Sequence, residues 1–123
     1  MLLIGDKLIP FTDIFNISSI DEIKNTKANA LISFRYNENI LTYSYKNDLD
    51  YVVVISSIKE AIYANSLNAK YIACQKNLAK DIQKIADNYM FDSKILALIS
   101  TDDEIEEIAL NEIDGIIYKN LLT

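Results

Sequence analysis

The run Tyr51-Val52-Val53-Val54-Ile55 is apolar and largely β-branched at consecutive positions, the pattern of a strand buried on both of its faces. Ser57 and Glu60 follow at capping-box spacing, so the chain leaves this strand and enters a helix with almost no loop between them. That is half of a βαβ unit. The unit recurs, with strands expected over residues 30–34, 71–74, 95–99 and 115–118 and helices opening near Asn37, Asn77 and Thr101. Five such repeats with short connections predict an α/β fold. Its expected form is a three-layer, Rossmann-like or flavodoxin-like parallel sheet of about five strands, joined by right-handed crossovers, with helices on both faces.

The first 29 residues read as an N-terminal attachment to these repeats, which fill residues 30–123 of a single domain spanning 1–123. Residues 2–4 and 7–9 form two short extended runs around Gly5-Asp6, the spacing of a hairpin. Phe11, Ile14, Phe15 and Ile17 suggest a short helical turn. Ser19 and Glu22 form another capping box. In the longest helix, Leu78, Ile82, Ile85, Ala86 and Tyr89 make one apolar stripe. Ile58, Ala61, Ile62 and Asn65 share a face of the helix before it, and Ile105, Ile108 and Ala109 a face of the helix after it.

Composition excludes much chemistry. The chain has no histidine, which removes triads and metal sites that depend on imidazole. Its two glycines, Gly5 and Gly115, cannot form a phosphate-binding glycine loop. A formal charge of −6 argues against a nucleic-acid footprint. The lone Cys74 offers neither a disulfide nor a zinc cluster and fits a reducing compartment. There is no apolar run of membrane-spanning length and no basic leader, so the expected setting is cytoplasmic, with no membrane partner. No cofactor or metal is implied. The acidic residues from Asp102 to Glu107 read as a solvated helix face.

Ligands of parallel sheets gather at the carboxyl ends of the strands. Those ends hold Arg35, Ser56 and Ser57, Gln75 and Lys76, Ser100 and Thr101, and Lys119. Three cations beside helix N-termini suit a phosphate or carboxylate. The hydroxyl residues also have a simpler role as helix caps.

The stretch 30–122 resembles the receiver domain of bacterial response regulators. The likeness rests on residues 94–101, similar to that family's fourth strand with its hydroxyl residue, and on residues 113–119, similar to its fifth strand with its lysine, here Lys119. The resemblance puts Gln75 at the position of the phosphoacceptor aspartate and Arg35-Tyr36 where the family keeps its magnesium-binding acidic pair. Glutamine cannot form an acyl phosphate, so the resemblance implies a degenerate receiver that has lost phosphotransfer. A similar βα pattern occurs in half of a (β/α) barrel, which leaves open edges and calls for a partner copy. The leading expectation is a non-catalytic module that binds another protein or its own copy, for example as a homodimer. The alternative is a small-anion binder or enzyme with its site at the strand ends.

Overall fold

In the computed structural model, residues 1–122 are described and Thr123 lies outside them. Seven strands are present: β1 (Leu2–Ile4), β2 (Ile14–Asn16), β3 (Leu31–Arg35), β4 (Tyr51–Val54), β5 (Tyr71–Gln75), β6 (Lys94–Ile99) and β7 (Gly115–Tyr118). Five α-helices accompany them: α1 (Ile20–Ile23), α2 (Glu38–Lys46), α3 (Ile58–Ser66), α4 (Lys76–Tyr89) and α5 (Ile105–Leu110). Asp102–Glu104 forms a 3-10 turn before α5, and Lys119–Leu122 forms another at the C-terminal end. The α/β class and the parallel pairing are as the apolar runs require.

All seven strands are parallel and lie in the order β1-β7-β6-β5-β4-β3-β2. From β2 to β7 each strand pairs with the next in sequence. Right-handed crossovers that always step in one direction put every helix on one face, which corrects the expected three-layer, flavodoxin-like arrangement. The core divides accordingly. Ile23, Leu41, Ala64, Ile82 and Ile108, from all five helices, pack with the strand residues Tyr51, Val53, Ile72, Cys74, Ala97 and Ile116. On the other face, Ile4, Leu31, Val52, Tyr71, Ala73, Leu96, Leu98 and Ile117 form a separate cluster with no residue from any α-helix.

Val52, Ala73, Leu96 and Ile117 are nonetheless inaccessible to solvent, so the strands must cover one another across a concave interior. One hydrogen bond measures the curl. Asn16 Nδ2, on edge strand β2, donates to the carbonyl of Leu121, just past β7, at 2.8 Å. A flat sheet would hold these two strands roughly 24 Å apart over five steps. The sheet therefore rolls into a slotted cylinder, with β1 and β2 on either side of the slot and each paired on one side only.

Two strands beyond the expected five come from the N-terminal region, which supplies both edges of the sheet. Leu2–Ile4 pairs with β7 rather than folding back as a hairpin. Residues 7–9 make a turn, and the expected helical turn at 11–17 is β2 and its flanks. Both segments were too short for their periodicity to choose between helix and strand, and their partners lie far along the chain. Phe11 sets its ring edge-on to Tyr71 at 6.2 Å between centroids.

Helix faces are rotated from their expected positions. In α4 the buried residues are Ala79, Ile82, Gln83 and Ala86, with Tyr89 exposed. Gln83 belongs inside because its Oε1 accepts the Asp114 amide at 2.9 Å while its Nε2 donates to Asp87. That helix starts at Lys76, with Gln75 rather than Asn77 as its N-cap, and ends at Met90, whose φ of 53° is left-handed. In α3 the buried pair is Ala61 and Ala64, leaving Ile58 and Ile62 exposed. In α5 only Ile108 is buried, and Ala109 faces solvent. Small residues face the sheet because they allow the helix backbone to approach closely.

Cys74 is fully buried on the helix side of β5. Burial pushes its thiol up from 9.0 to about 12. The unfolded chain ionises first, so this contribution to stability is complete below pH 9 and is lost as pH rises toward 12. Cys74→Ala is expected to flatten the fall in urea midpoint between pH 9 and pH 10. An unchanged slope would contradict the burial of the thiol. At pH 8 the native thiol is expected to react with a thiol reagent no faster than the protein unfolds.

Candidate functional site

Because side chains alternate along a strand, the inward-facing series can be followed from the register. Asn16 lies opposite Ser33, Arg35 opposite Val54, and Gln75 opposite Leu98. Low in the cylinder this series is apolar, and at the carboxyl ends of the strands it turns polar. There a cleft of about 700 Å³ opens, lined by Asn16, Ser33, Arg35, Tyr36, Val54, Gln75, Leu98, Lys119 and Leu122, with Glu22 and Asn37 at its wall.

Of the residues expected at a site, the cleft gathers Arg35, Gln75 and Lys119. It does not include Ser56, Ser57, Lys76, Ser100 or Thr101. Their hydrogen bonds explain why. The Ser56 amide donates to Glu60 Oε1 at 2.9 Å, and Ser57 Oγ accepts from the Glu60 amide. The amides of Ser100 and Thr101 both donate to Glu104 Oε2, at 2.7 and 3.2 Å, and Thr101 completes the capping box. These bonds hold the Glu104 carboxyl below its usual range, with Lys76 adding to the effect.

The same device recurs at the exit of β2, where the Ser18 amide donates to Glu22 Oε2 at 2.6 Å and Ser19 makes no side-chain cap. A serine one position before the cap and a glutamate four residues after that serine thus close the exits of β2, β4 and β6. Carboxylates from the chain itself occupy the positive helix ends that an external anion would use. Lys76 is also committed. Its Nζ lies 3.0 Å from Glu107 and 3.4 Å from Glu104, and these hydrogen bonds, Glu107 first, raise its pKa.

Arg35 and Lys119 differ from Lys76. Both are exposed to the cleft, and among the described residues neither has an ion-pair or hydrogen-bond partner. Glu22 is the only carboxylate among the described residues lining the cleft, and it is engaged with Ser18. The cleft therefore carries local positive charge on an acidic protein. Tyr36 has its hydroxyl pKa raised, first by burial and then by the carboxylates of Glu38 and Glu60, so near neutral pH it remains an uncharged hydrogen-bonding group.

Asn16 is a structural clasp. Ser33 Oγ donates to its side-chain oxygen while its amide nitrogen holds the Leu121 carbonyl. It ties β3 to the C-terminal turn that carries Lys119 and Leu122 over the mouth. The sequence reading missed Asn16 and Ser33. Ser33 and Arg35 share a face of a strand otherwise apolar, and that interruption was the available signal. Asn16 gave none, since its segment did not read as a strand.

No protein-family model matches the chain, and no curated protein matches it in sequence. Among the described residues no three His, Cys, Asp or Glu side chains cluster as metal ligands, and no helix is long and apolar enough to cross a membrane. The fold and cleft define the class: a slotted cylinder of parallel strands, wrapped by helices, with a cationic mouth at the strands' carboxyl ends.

Proposed function

We propose that the protein binds a small anionic molecule, a carboxylate or a phosphate ester, in the mouth of the cylinder. The observation that carries this reading is the pair Arg35 and Lys119, unpaired cations facing one cleft, while glutamates of the chain itself close the helix ends that follow β2, β4 and β6. Charged groups at a surface are normally solvated or paired, and two like charges sharing a concavity repel. An anion between them relieves that repulsion and gains charge-assisted hydrogen bonds. Gln75 offers an amide and Tyr36 a neutral hydroxyl for orientation. The expected site is therefore Arg35, Lys119, Gln75 and Tyr36, without the capping residues Ser57 and Thr101.

A thermal-shift panel of phosphate, phosphate esters and carboxylates tests this. At about 100-fold excess over Kd, a true ligand is expected to raise Tm on the order of 10 °C. Arg35→Gln and Lys119→Gln should abolish the shift, whereas Lys76→Gln should leave it intact. A panel with no shift in the wild-type protein, or one preserved in both cleft variants, overturns the reading.

A second reading, a non-catalytic module that binds its own copy, has one observation in its favour. Ile58 and Ile62 stand one turn apart on α3, 40% and 44% exposed. Sedimentation at micromolar to millimolar concentration decides it, a monomer throughout removing self-association.

A further inference from the structure

We infer that Asn16 is a positioning residue for the anion site: its clasp across the slot sets the mouth of the cylinder, and an anion bound in the mouth and the clasp strengthen one another. This rests on the anion-binding reading above and adds how the site is held ready for its ligand.

Arg35 ends β3, and Lys119 opens the turn that follows β7. The long way round the cylinder, these two walls are joined by the backbone ladders from β3 to β7. The short way crosses the slot, where β1 and β2 do not pair. There the link runs through Asn16. Its side-chain oxygen accepts from Ser33 Oγ on β3, and its Nδ2 donates to the Leu121 carbonyl at 2.8 Å. Both ends of the link are seated. Ser33 is 2% exposed and is the register partner of Asn16, while the Leu121 side chain lies against Gly5 and packs on the inner apolar cluster.

Backbone ladders fix the register of neighbouring strands, whereas a tie across the open side fixes how far the rolled sheet closes at its mouth. An anion that meets both Arg35 and Lys119 ties the same two walls as the clasp does. Two ties that order the same parts share the entropy of that ordering, so each favours the other, and by linkage the effect is equal in both directions. With the clasp formed, the turn bearing Lys119 and Leu122 is in place before the anion arrives. Without it, ordering that turn is subtracted from the affinity.

Isothermal titration calorimetry of the wild-type chain with inorganic phosphate, phenyl phosphate and succinate selects the tightest of the three as probe. Asn16→Ala and Leu121→Ala are each expected to weaken that probe about three- to tenfold, the range for one hydrogen bond, although Arg35 and Lys119 are untouched and Leu121 does not line the cleft. One variant removes the donor and the other unseats the acceptor, with circular dichroism showing that both fold. In the wild-type chain, NMR should show the Asn16 side-chain amide protons exchanging with solvent more slowly, by a similar factor, when the probe saturates; this reciprocal effect needs no variant. Unchanged affinity in both variants, or exchange indifferent to the probe, overturns the positioning role and leaves the anion site standing. A loss in only one variant overturns it equally, and a loss in Asn16→Ala alone marks direct contact with the anion. No binding of any of the three anions by the wild-type chain removes both readings.

Discussion

Replacing Tyr51 with alanine is expected to lower the free energy of unfolding by about 3–5 kcal/mol, the range for emptying an aromatic position in a packed core. Tyr51 is wholly buried, and its ring stacks on Phe34 with centroids 5.3 Å apart and planes 28° from parallel. Its hydroxyl donates to the Leu67 carbonyl at 2.7 Å, fastening the C-terminal end of α3 to the start of β4. Tyr51→Phe keeps the ring and leaves that carbonyl unpaired, so its expected cost is smaller, about 1–2 kcal/mol. Urea unfolding of both variants gives the comparison, and equal losses would show that the hydroxyl rather than the ring dominates. Burial raises the Tyr51 pKa above its ordinary 10.0. Its contribution is therefore complete below pH 10 and is lost as pH climbs beyond that, because only the unfolded chain accommodates the phenolate.

Gly115 carries the second large effect, and here the cause is backbone approach. A Cβ at this position would stand 2.6 Å from both the Cβ and the carbonyl oxygen of Leu2 and 3.0 Å from its Cα. Leu2 is the register partner of Gly115, and the Leu2 amide donates to Asp114. Relief of the clash has to displace the β1 backbone. Gly115→Ala is expected to cost about 1–3 kcal/mol and Gly115→Val more, with Ile4 drawn from the interior cluster. Hydrogen exchange locates the damage. The Leu2 amide should lose protection far beyond the change in global stability, while amides of β4 to β6 follow it. Uniform loss across the sheet would contradict a local origin.

The parts of the fold that were legible in the sequence are those whose signals are local. Tyr51–Val54 and Lys94–Ile99 are long enough for consecutive apolar residues to mean a strand buried on both faces, and the caps at Asn37, Ser57 and Thr101 act within a few residues of themselves. What was not legible depends on distant partners. Leu2–Ile4 and Ile14–Asn16 are strands only because β7 and β3 lie beside them. Whether helices cover one face or two follows from strand order, and apolar runs buried on both faces read alike whether the second face is covered by helices or by the opposite wall of a cylinder.

The candidate site divides along the same line. Arg35 and Lys119 stood out as cations at strand ends, and they share a cleft once the sheet is rolled. Lys76 looked equivalent in sequence, yet α5 brings Glu107, and the 3-10 turn before it Glu104, to its ammonium group. Ser56 and Ser100 looked like anion donors, and the glutamates four residues on accept their amides.

Amide chemical-shift mapping during titration with a short dicarboxylate tests the central claim most directly, since it separates the mouth of the cylinder from the helix ends. The largest saturable shifts are expected at Arg35, Tyr36, Gln75 and Lys119, with Ser57, Ser100 and Thr101 nearly still. Shifts concentrated at those three capping residues, or spread evenly over the surface lysines, would contradict it.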